Sequence, residues 1–467
     1  MDFRTESLTD LAEAVRSRKV SARELTQAAL DRIEALNPML NAFVAVDGEA
    51  ALKAAAEIDQ AVVDGDDPGP LAGIPIGVKD NMDAAGYRTT IGSALLEDRP
   101  PAATDCVLVT RLKAAGCVVV GKTNTPEFAW TADTYNNLFG RTANPWDVER
   151  SPGGSSGGTS AALASGMVPL ATGSDGGGSI RIPAAACGLA GFKPSLGRIP
   201  TADKTPPNWG PLSTRGPMAR TTADNVLALD AVIGPDPHDI YSLPMPEPSW
   251  TGALEDAHVP MRVAWSPNLG YAKIDNEVAA VCEQAVAKLE ELGAEIVPVD
   301  AVFEKDPGVS WFTIAAAGAA RTLAPYKDGP AWDRVDPGLA RQLDWAANVT
   351  AADLARAYDE CHHLNWRLVE LFREVRLLVC PATAAVPPVH GKPAVINGEE
   401  GPFWAPMTLP FNMTRSPAGT VCAGFTAAGL PVGLQLIGPQ HADMVVLRTM
   451  AALEDALAIG RLAPVGS

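Results

Sequence analysis

The sequence has little that would bring it to a nucleic acid or into a bilayer. Only 37 basic residues stand against 55 acidic ones, a formal charge of −18 over 467 residues. A phosphate backbone is repelled on average, so no nucleic-acid partner is expected. No apolar run approaches the roughly 20 residues that span a membrane. The opening Met-Asp-Phe-Arg-Thr-Glu-Ser lacks the basic-then-apolar order of a signal peptide, which predicts a cytoplasmic protein. The seven cysteines (106, 117, 187, 282, 361, 380 and 422) are scattered, odd in number and without CxxC pairs. A disulfide framework is therefore not expected; buried free thiols in a reducing compartment are.

What remains is ordinary globular material, 47% apolar and 20% charged. Ser21 with Glu24 reads as a capping box. It opens a helix with Leu25, Ala29, Ile33 and Leu36 on one face, which Asn37-Pro38 should stop. Leu71–Val78 reads as a buried strand delivering Lys79. A helix over Thr104–Ala115 leads through Gly116 into a strand at Cys117–Val120. Met261–Trp265 and Ile296-Val297 flank a second helix, capped by Asp275, with Val278, Val281, Ala285, Leu289 and Leu292 inward. Leu377–Cys380 is another strand, and residues 442–460 a closing helix. This alternation predicts an α/β fold, with helices on both faces of the sheet. Pro200–Pro217 and Pro235–Pro248 read as surface loops of one domain over 1–467. A boundary near 200–260 stays open.

The densest information lies in Ser151–Lys193, where Gly153–Gly158 and Gly173–Ser179 flank an Ala-rich helical stretch. Flexible linkers rarely enclose segments as apolar as Met167–Leu170. A P-loop needs a lysine after its glycines, and Thr159-Ser160 stands there instead. Gly153–Gly157 matches GxSxG, so an α/β-hydrolase-type esterase with Ser155 as nucleophile, served by His390 or His441, is one alternative. The other uses both clusters. The backbone N–H groups of Gly173–Ser179 are placed to cradle an oxyanion. Ser179 would attack beside them, and Lys79, kept neutral by burial, would be the base.

These segments resemble the amidase signature family. Its core matches Gly-Ile-Pro-Ile-Gly-Val-Lys-Asp at 73–80, Gly-Ser-Ser-Gly-Gly at 154–158 and Gly-Gly-Ser-Ile-Arg at 177–181, with Ser155 and Ser179 24 positions apart as in the family. Flanking matches are Gly-Lys-Thr-Asn at 121–124, Gly-Arg-Thr at 140–142, Asn144-Pro145-Trp146 and Gly-Leu-Pro-Val-Gly-Leu-Gln at 429–435.

The resemblance implies the family's large twisted mixed sheet, covered by helices on both faces. Core motifs would fall at 70–200, loops at 200–260, and the second half (261–467) would contribute to the substrate pocket. It implies a Ser179 nucleophile, a Ser155 relay held by a cis peptide, and a Lys79 base. The oxyanion hole would be the N–H groups of Gly176, Gly177, Gly178 and Ser179, with Ser156, Asp175 and Arg181 in support. No metal or cofactor is required. Where the family often carries a bulkier residue after Thr-Asp, this chain has Gly176, which would loosen the hole or widen the acyl side. Trp130, Thr131, Phe411 and Asn412, with Phe139, Trp311, Phe312 and Trp404, are candidates for the substrate pocket.

The expected reaction is hydrolysis of small aryl or alkyl amides, with esters and carbamates as side activities, by a monomer or homodimer. A family alternative is the tRNA-dependent glutamyl-tRNA(Gln) amidotransferase, whose A chain shares this core. The run Phe403–Asn412 instead resembles stand-alone amidases.

Overall fold

In the computed structural model, residues 2–203, 209–401 and 403–466 are described. Two mixed ladders of strands form the centre of the molecule. The first comprises β1 (Phe43–Val46), β2 (Pro75–Lys79), β3 (Val118–Thr123), β4 (Leu170–Asp175) and β6 (Thr214–Ala219), in the order β1-β3-β2-β4-β6. Here β2 runs parallel to both β3 and β4, while β1 and β6 close the edges antiparallel. The second ladder comprises β5 (Gly191–Lys193), β7 (Arg262–Trp265), β8 (Glu295–Pro298), β9 (Leu377–Pro381), β10 (Ala418–Phe425) and β11 (Pro431–Ile437), in the order β8-β7-β9-β11-β10-β5. An antiparallel bridge between Ala190 and Ala219 joins the two. The mixed pairing is as anticipated; the ladder itself is divided.

Helices cover both faces of the second ladder. A side chain at Gly433 would meet Ala185 of helix Arg181–Cys187, and one at Gly419 would meet Met450 of helix Asp443–Leu457. Gly433 pairs with Cys422, three residues along β10 from Gly419. Side chains alternate across a strand, so the two helices lie on opposite faces. β2 and β4 are buried along their whole length, and β3 likewise, which is why they read as near-continuous small and apolar runs.

Local signals account for most helix boundaries. The Ser21–Glu24 capping box is formed, and Asp275 caps helix Asn276–Glu291 by accepting from the N–H of Glu277. Three expectations need correction. The second helix does not stop at Pro38 but runs to Leu40, where Asn41 ends it in the left-handed conformation; a proline this near the end disturbs only the last turn. Leu292 lies past its helix, 40% exposed. The helix foreseen from Thr104 begins at Val107.

The stretch Pro200–Pro217 is not all surface loop, because its last residues form β6, with Pro217 opposite Thr172. An edge strand accepts proline, since one row of its N–H groups faces away from the ladder. Residues 204–208 of that stretch lie outside the described residues. Pro235–Pro248 holds no helix or strand and is largely exposed. The cysteines are all free, five of them buried. Among the described residues no helix is long and apolar enough to cross a membrane, and no cluster of His, Cys, Asp and Glu is placed to hold a metal ion.

Candidate active site

Parallel strands present their carboxyl ends together, and ligands of open α/β sheets gather there. β2 ends in Lys79 and its parallel neighbour β4 ends in Ser174 and Asp175. The Lys79 N–H is anchored on Thr172 Oγ1 at 2.9 Å. The side chain is wholly buried. Its Nζ lies 2.8 Å from Ser155 Oγ, 2.9 Å from Ser156 Oγ and 3.0 Å from Ser174 Oγ. Desolvation holds the amine well below the ordinary lysine range, and only Asp175 opposes this by favouring the charge. Burial thus favours the neutral amine, the form able to accept a proton from one of the three hydroxyls around it.

Ser155 and Ser156 arrive on a tight loop ahead of helix Gly157–Ala164, and the Gly154–Ser155 peptide is cis. The Ser156 N–H donates to the Ser179 carbonyl at 3.2 Å. This bond ties the two glycine-rich clusters together. Ser155 is fully buried, whereas Ser179 retains 7% exposure. Ser155 and Ser179 line the same cavity. No direct hydrogen bond joins their hydroxyls, and Ser179 Oγ has no partner among the described residues. In unliganded sites such contacts are often open and tighten around substrate.

The turn from Gly176 to Ser179 is fixed from behind by its carbonyls. Trp311 Nε1 donates to the Gly176 carbonyl at 2.8 Å, and Thr408 Oγ1 to that of Gly177 at 2.5 Å. The N–H groups of Gly176, Gly177 and Ser179 meet no acceptor among the described residues. Gly178 differs. Its N–H is spent on Asp175 Oδ1 at 2.7 Å, so it braces the turn and does not offer a donor to an oxyanion. Glycine is required at 178 by a φ of +127° and by Thr408 pressed against it. The absent side chain at 176 does not leave a gap, since the Trp209 indole fills that space.

Asp175 and Arg181 form the brace proper. Arg181 gives Nε and Nη2 to the carboxylate, both at 2.9 Å, with neither side chain exposed. Its other hydrogens go to Gln435, Asn412 and the Thr408 carbonyl. Burial opposes ionisation of Asp175, but the Arg181 guanidinium outweighs it and holds the carboxyl well below the usual range. This is a structural ion pair whose product is the shape of the Gly176–Ser179 turn.

The family model described as Amidase matches residues 24–447. The chain is 40% identical to an acylamidase of Rhodococcus erythropolis, covering 96% of this chain and 94% of that one. It is 35% identical to the A chain of the glutamyl-tRNA(Gln) amidotransferase of Carboxydothermus hydrogenoformans, over 96% of each. Its fold superposes on a bacterial aryl acylamidase of the amidase signature family with a TM-score of 0.91 at 29% identity, covering 98% of this chain and 99% of that one. The chain belongs to the amidase signature family. It is an amidohydrolase, acting on carbon–nitrogen bonds.

The fold of an amidase signature enzyme leaves no room for the alternative built on GxSxG. His390 faces Asp133 with 3.6 Å between Nδ1 and the carboxylate, and the His441 N–H bonds Ser195. Neither histidine forms a hydrogen bond to Ser155 among the described residues, whose hydroxyl is held by Lys79.

A cavity of about 810 Å³ opens over Ser155, Ser174 and Ser179, and its apolar wall includes Ile91, Leu96, Phe128, Trp209 and Tyr326. None of the aromatic candidates read from the sequence is among its lining residues. Phe411 is core, packed against Phe303 with 6.3 Å between centroids. Asn412 belongs to the brace, donating to Asp175 at 2.9 Å. Trp311 stands behind the Gly176–Ser179 turn, edge-on to Trp209. Phe312 packs on Trp345, and Trp404 is buried beside Ala132 and Ile182. Trp130 lies against Gly338, Thr131 beside Gly154, and Phe139 offers its carbonyl to Asn41.

Ser174, Thr408 and Gln435 were missed as site residues. All three fell inside or beside quoted stretches, but nothing in the local sequence shows what each of them bonds across the fold.

Proposed function

We propose that this enzyme hydrolyses small aryl or alkyl amides through an acyl-enzyme on Ser179, with Ser155 as proton relay and Lys79 as base. The carrying observation is the buried Lys79 amine, 2.8 Å from the Oγ of Ser155, which lines the same cavity as Ser179. Ser179 Oγ adds to the carbonyl carbon while its proton passes to Ser155, whose own proton passes to Lys79. The anion that forms on the carbonyl oxygen faces the N–H groups of Gly176, Gly177 and Ser179. Lys79 returns its proton through Ser155 to the departing nitrogen, the C–N bond breaks, and the amine leaves. Water then attacks the ester by the same route, giving the acid and free Ser179.

The apolar and aromatic wall of Ile91, Leu96, Phe128, Trp209 and Tyr326 supports an aryl or alkyl group beside the scissile bond, and relatives named acylamidase and aryl acylamidase support the same class. Esters and carbamates present a similar carbonyl and are side substrates.

Intact-mass and peptide mapping of the enzyme mixed with a slowly deacylating aryl ester should find the acyl group on Ser179. A panel of chromogenic anilides, esters, carbamates and glutamine then ranks substrates. Label on another residue, or glutamine as the preferred substrate, overturns the proposal.

A further inference from the structure

Asn81 lies two residues beyond Lys79 and lines the cavity, yet it has no part in the relay described above. Its Nδ2 donates to Ser174 Oγ at 2.8 Å. Its Oδ1 is buried and has no hydrogen-bond partner among the described residues. Leaving a buried carbonyl unmatched costs stability, so a group kept in that state calls for a reason beyond folding. The partner it does hold, Ser174, is one of the three hydroxyls around the Lys79 amine.

Counting hydrogens shows why that matters. A neutral amine has two N–H donors and one lone pair, so only one of the three hydroxyls can donate to it. Ser156 directs its own hydrogen to the Ser174 carbonyl at 3.4 Å and receives an N–H from Lys79. Ser174 Oγ, filled by Asn81 on one side, takes the second Lys79 N–H on the other, and its hydrogen is left for the cavity. The lone pair then falls to Ser155. We infer that Asn81 is a positioning residue which, through Ser174, turns the Lys79 lone pair toward Ser155.

Without Asn81, the Ser174 hydroxyl is free to turn its hydrogen onto the amine in competition with Ser155. The amide also presents its positive N–H end to the cluster, which disfavours an ammonium at Lys79. The other charges nearby are Asp175, which faces the amine and is paired to Arg181, and Asp80, which is paired to Lys122. Neither pair changes when Asn81 does.

This inference rests on Lys79 being the base. The test uses Asn81→Leu, Ser174→Ala, their double variant and Asn81→Asp in the full-length enzyme with an anilide substrate. Asn81→Leu should lower kcat about tenfold with KM nearly unchanged, and move the acid limb of kcat/KM upward by about half a pH unit. Asn81→Asp, which keeps the shape and adds a negative charge, should move that limb further and recover activity at alkaline pH. In the Ser174→Ala background Asn81→Leu should cost nothing more.

A fall in kcat with an unmoved acid limb, an effect confined to KM, or additive losses in the double variant each overturn the inference. If Asn81→Leu fails to fold, the Asn81→Asp profile alone decides. Acyl label on Ser179 in every folded variant keeps the parent reading separate; label elsewhere ends that reading whatever Asn81 does.

Discussion

The two ends of the proposed relay are built in opposite ways. At the amine end Lys79 is sealed from solvent and its Nζ is shared by three hydroxyls within 3.0 Å. At the other end Ser179, the proposed nucleophile, keeps an exposed edge and a hydroxyl with no partner among the described residues. The difference follows from the work of each group. A lysine accepts a proton only when neutral, and desolvation favours that form; a nucleophile has to be reached. The Gly176–Ser179 turn repeats the division within a few residues. Its carbonyls are tied down by Trp311 and Thr408, while three of its N–H groups meet no acceptor among the described residues. Rigidity is concentrated behind the reacting atoms and withheld from them.

That contrast is broken most severely by removing the open end. Ser179→Ala should lower turnover by about 10⁴ or more, while leaving the unfolding free energy within about 0.5 kcal/mol of wild type, because the deleted hydroxyl holds nothing. Chemical denaturation alongside an anilide assay reads both.

At the sealed end the two readouts separate differently. Lys79→Met should cost about 10³ in kcat/KM. Its effect on stability depends on pH. The folded amine has a lowered pKa while the unfolded one titrates near about 10.4, so between the two values the unfolded chain holds more protons. Wild type should therefore gain up to about 1.4 kcal/mol per pH unit over Lys79→Met as pH rises through that window. A pH-independent difference would mean the amine is charged when folded.

The brace should show the largest stability effect and a smaller catalytic one. Asp175→Asn leaves the Arg181 charge buried without its partner, at a cost of about 3–5 kcal/mol. The Asp175 carboxyl is depressed in the fold, so its contribution is complete above about 3.9 and disappears as pH falls through the lower folded value. Acid titration of wild type should show that loss, and the asparagine variant should not. The smallest change, Trp311→Phe, removes one donor from the Gly176 carbonyl and should reduce kcat about three- to tenfold with KM little altered, since it loosens the hole without removing a donor from it.

The residues proposed to react stood out in the sequence because the proposed chemistry demands particular residue types in unbroken runs. Lys79 closes an apolar strand, and Ser155 and Ser179 sit among glycines that few other roles require. The partners of those residues were not legible. Thr408, Asn412 and Gln435 join Asp175 or Arg181 from more than 220 positions away, a separation no local pattern records. Gly178 was read as an open donor because its neighbours are, and only the fold shows its N–H already taken. The aromatic residues were misplaced for a different reason. Phe411 in the core and Phe128 on the cavity wall carry the same side chain in similar apolar company, and burial by protein and burial by substrate leave one signature. β6 was hidden by Gly216 and Pro217, which an edge strand tolerates and a central one does not.

An uncharged Lys79 drawing the proton from Ser179 is the central claim, and the rate of acylation by a rapid-mixing assay across pH tests it most directly. That rate should rise with pH through an apparent pKa well below the roughly 10.4 of free lysine, and the limb should vanish in Lys79→Met. A rate that peaks near about pH 5, or a limb that survives the loss of the amine, would contradict it.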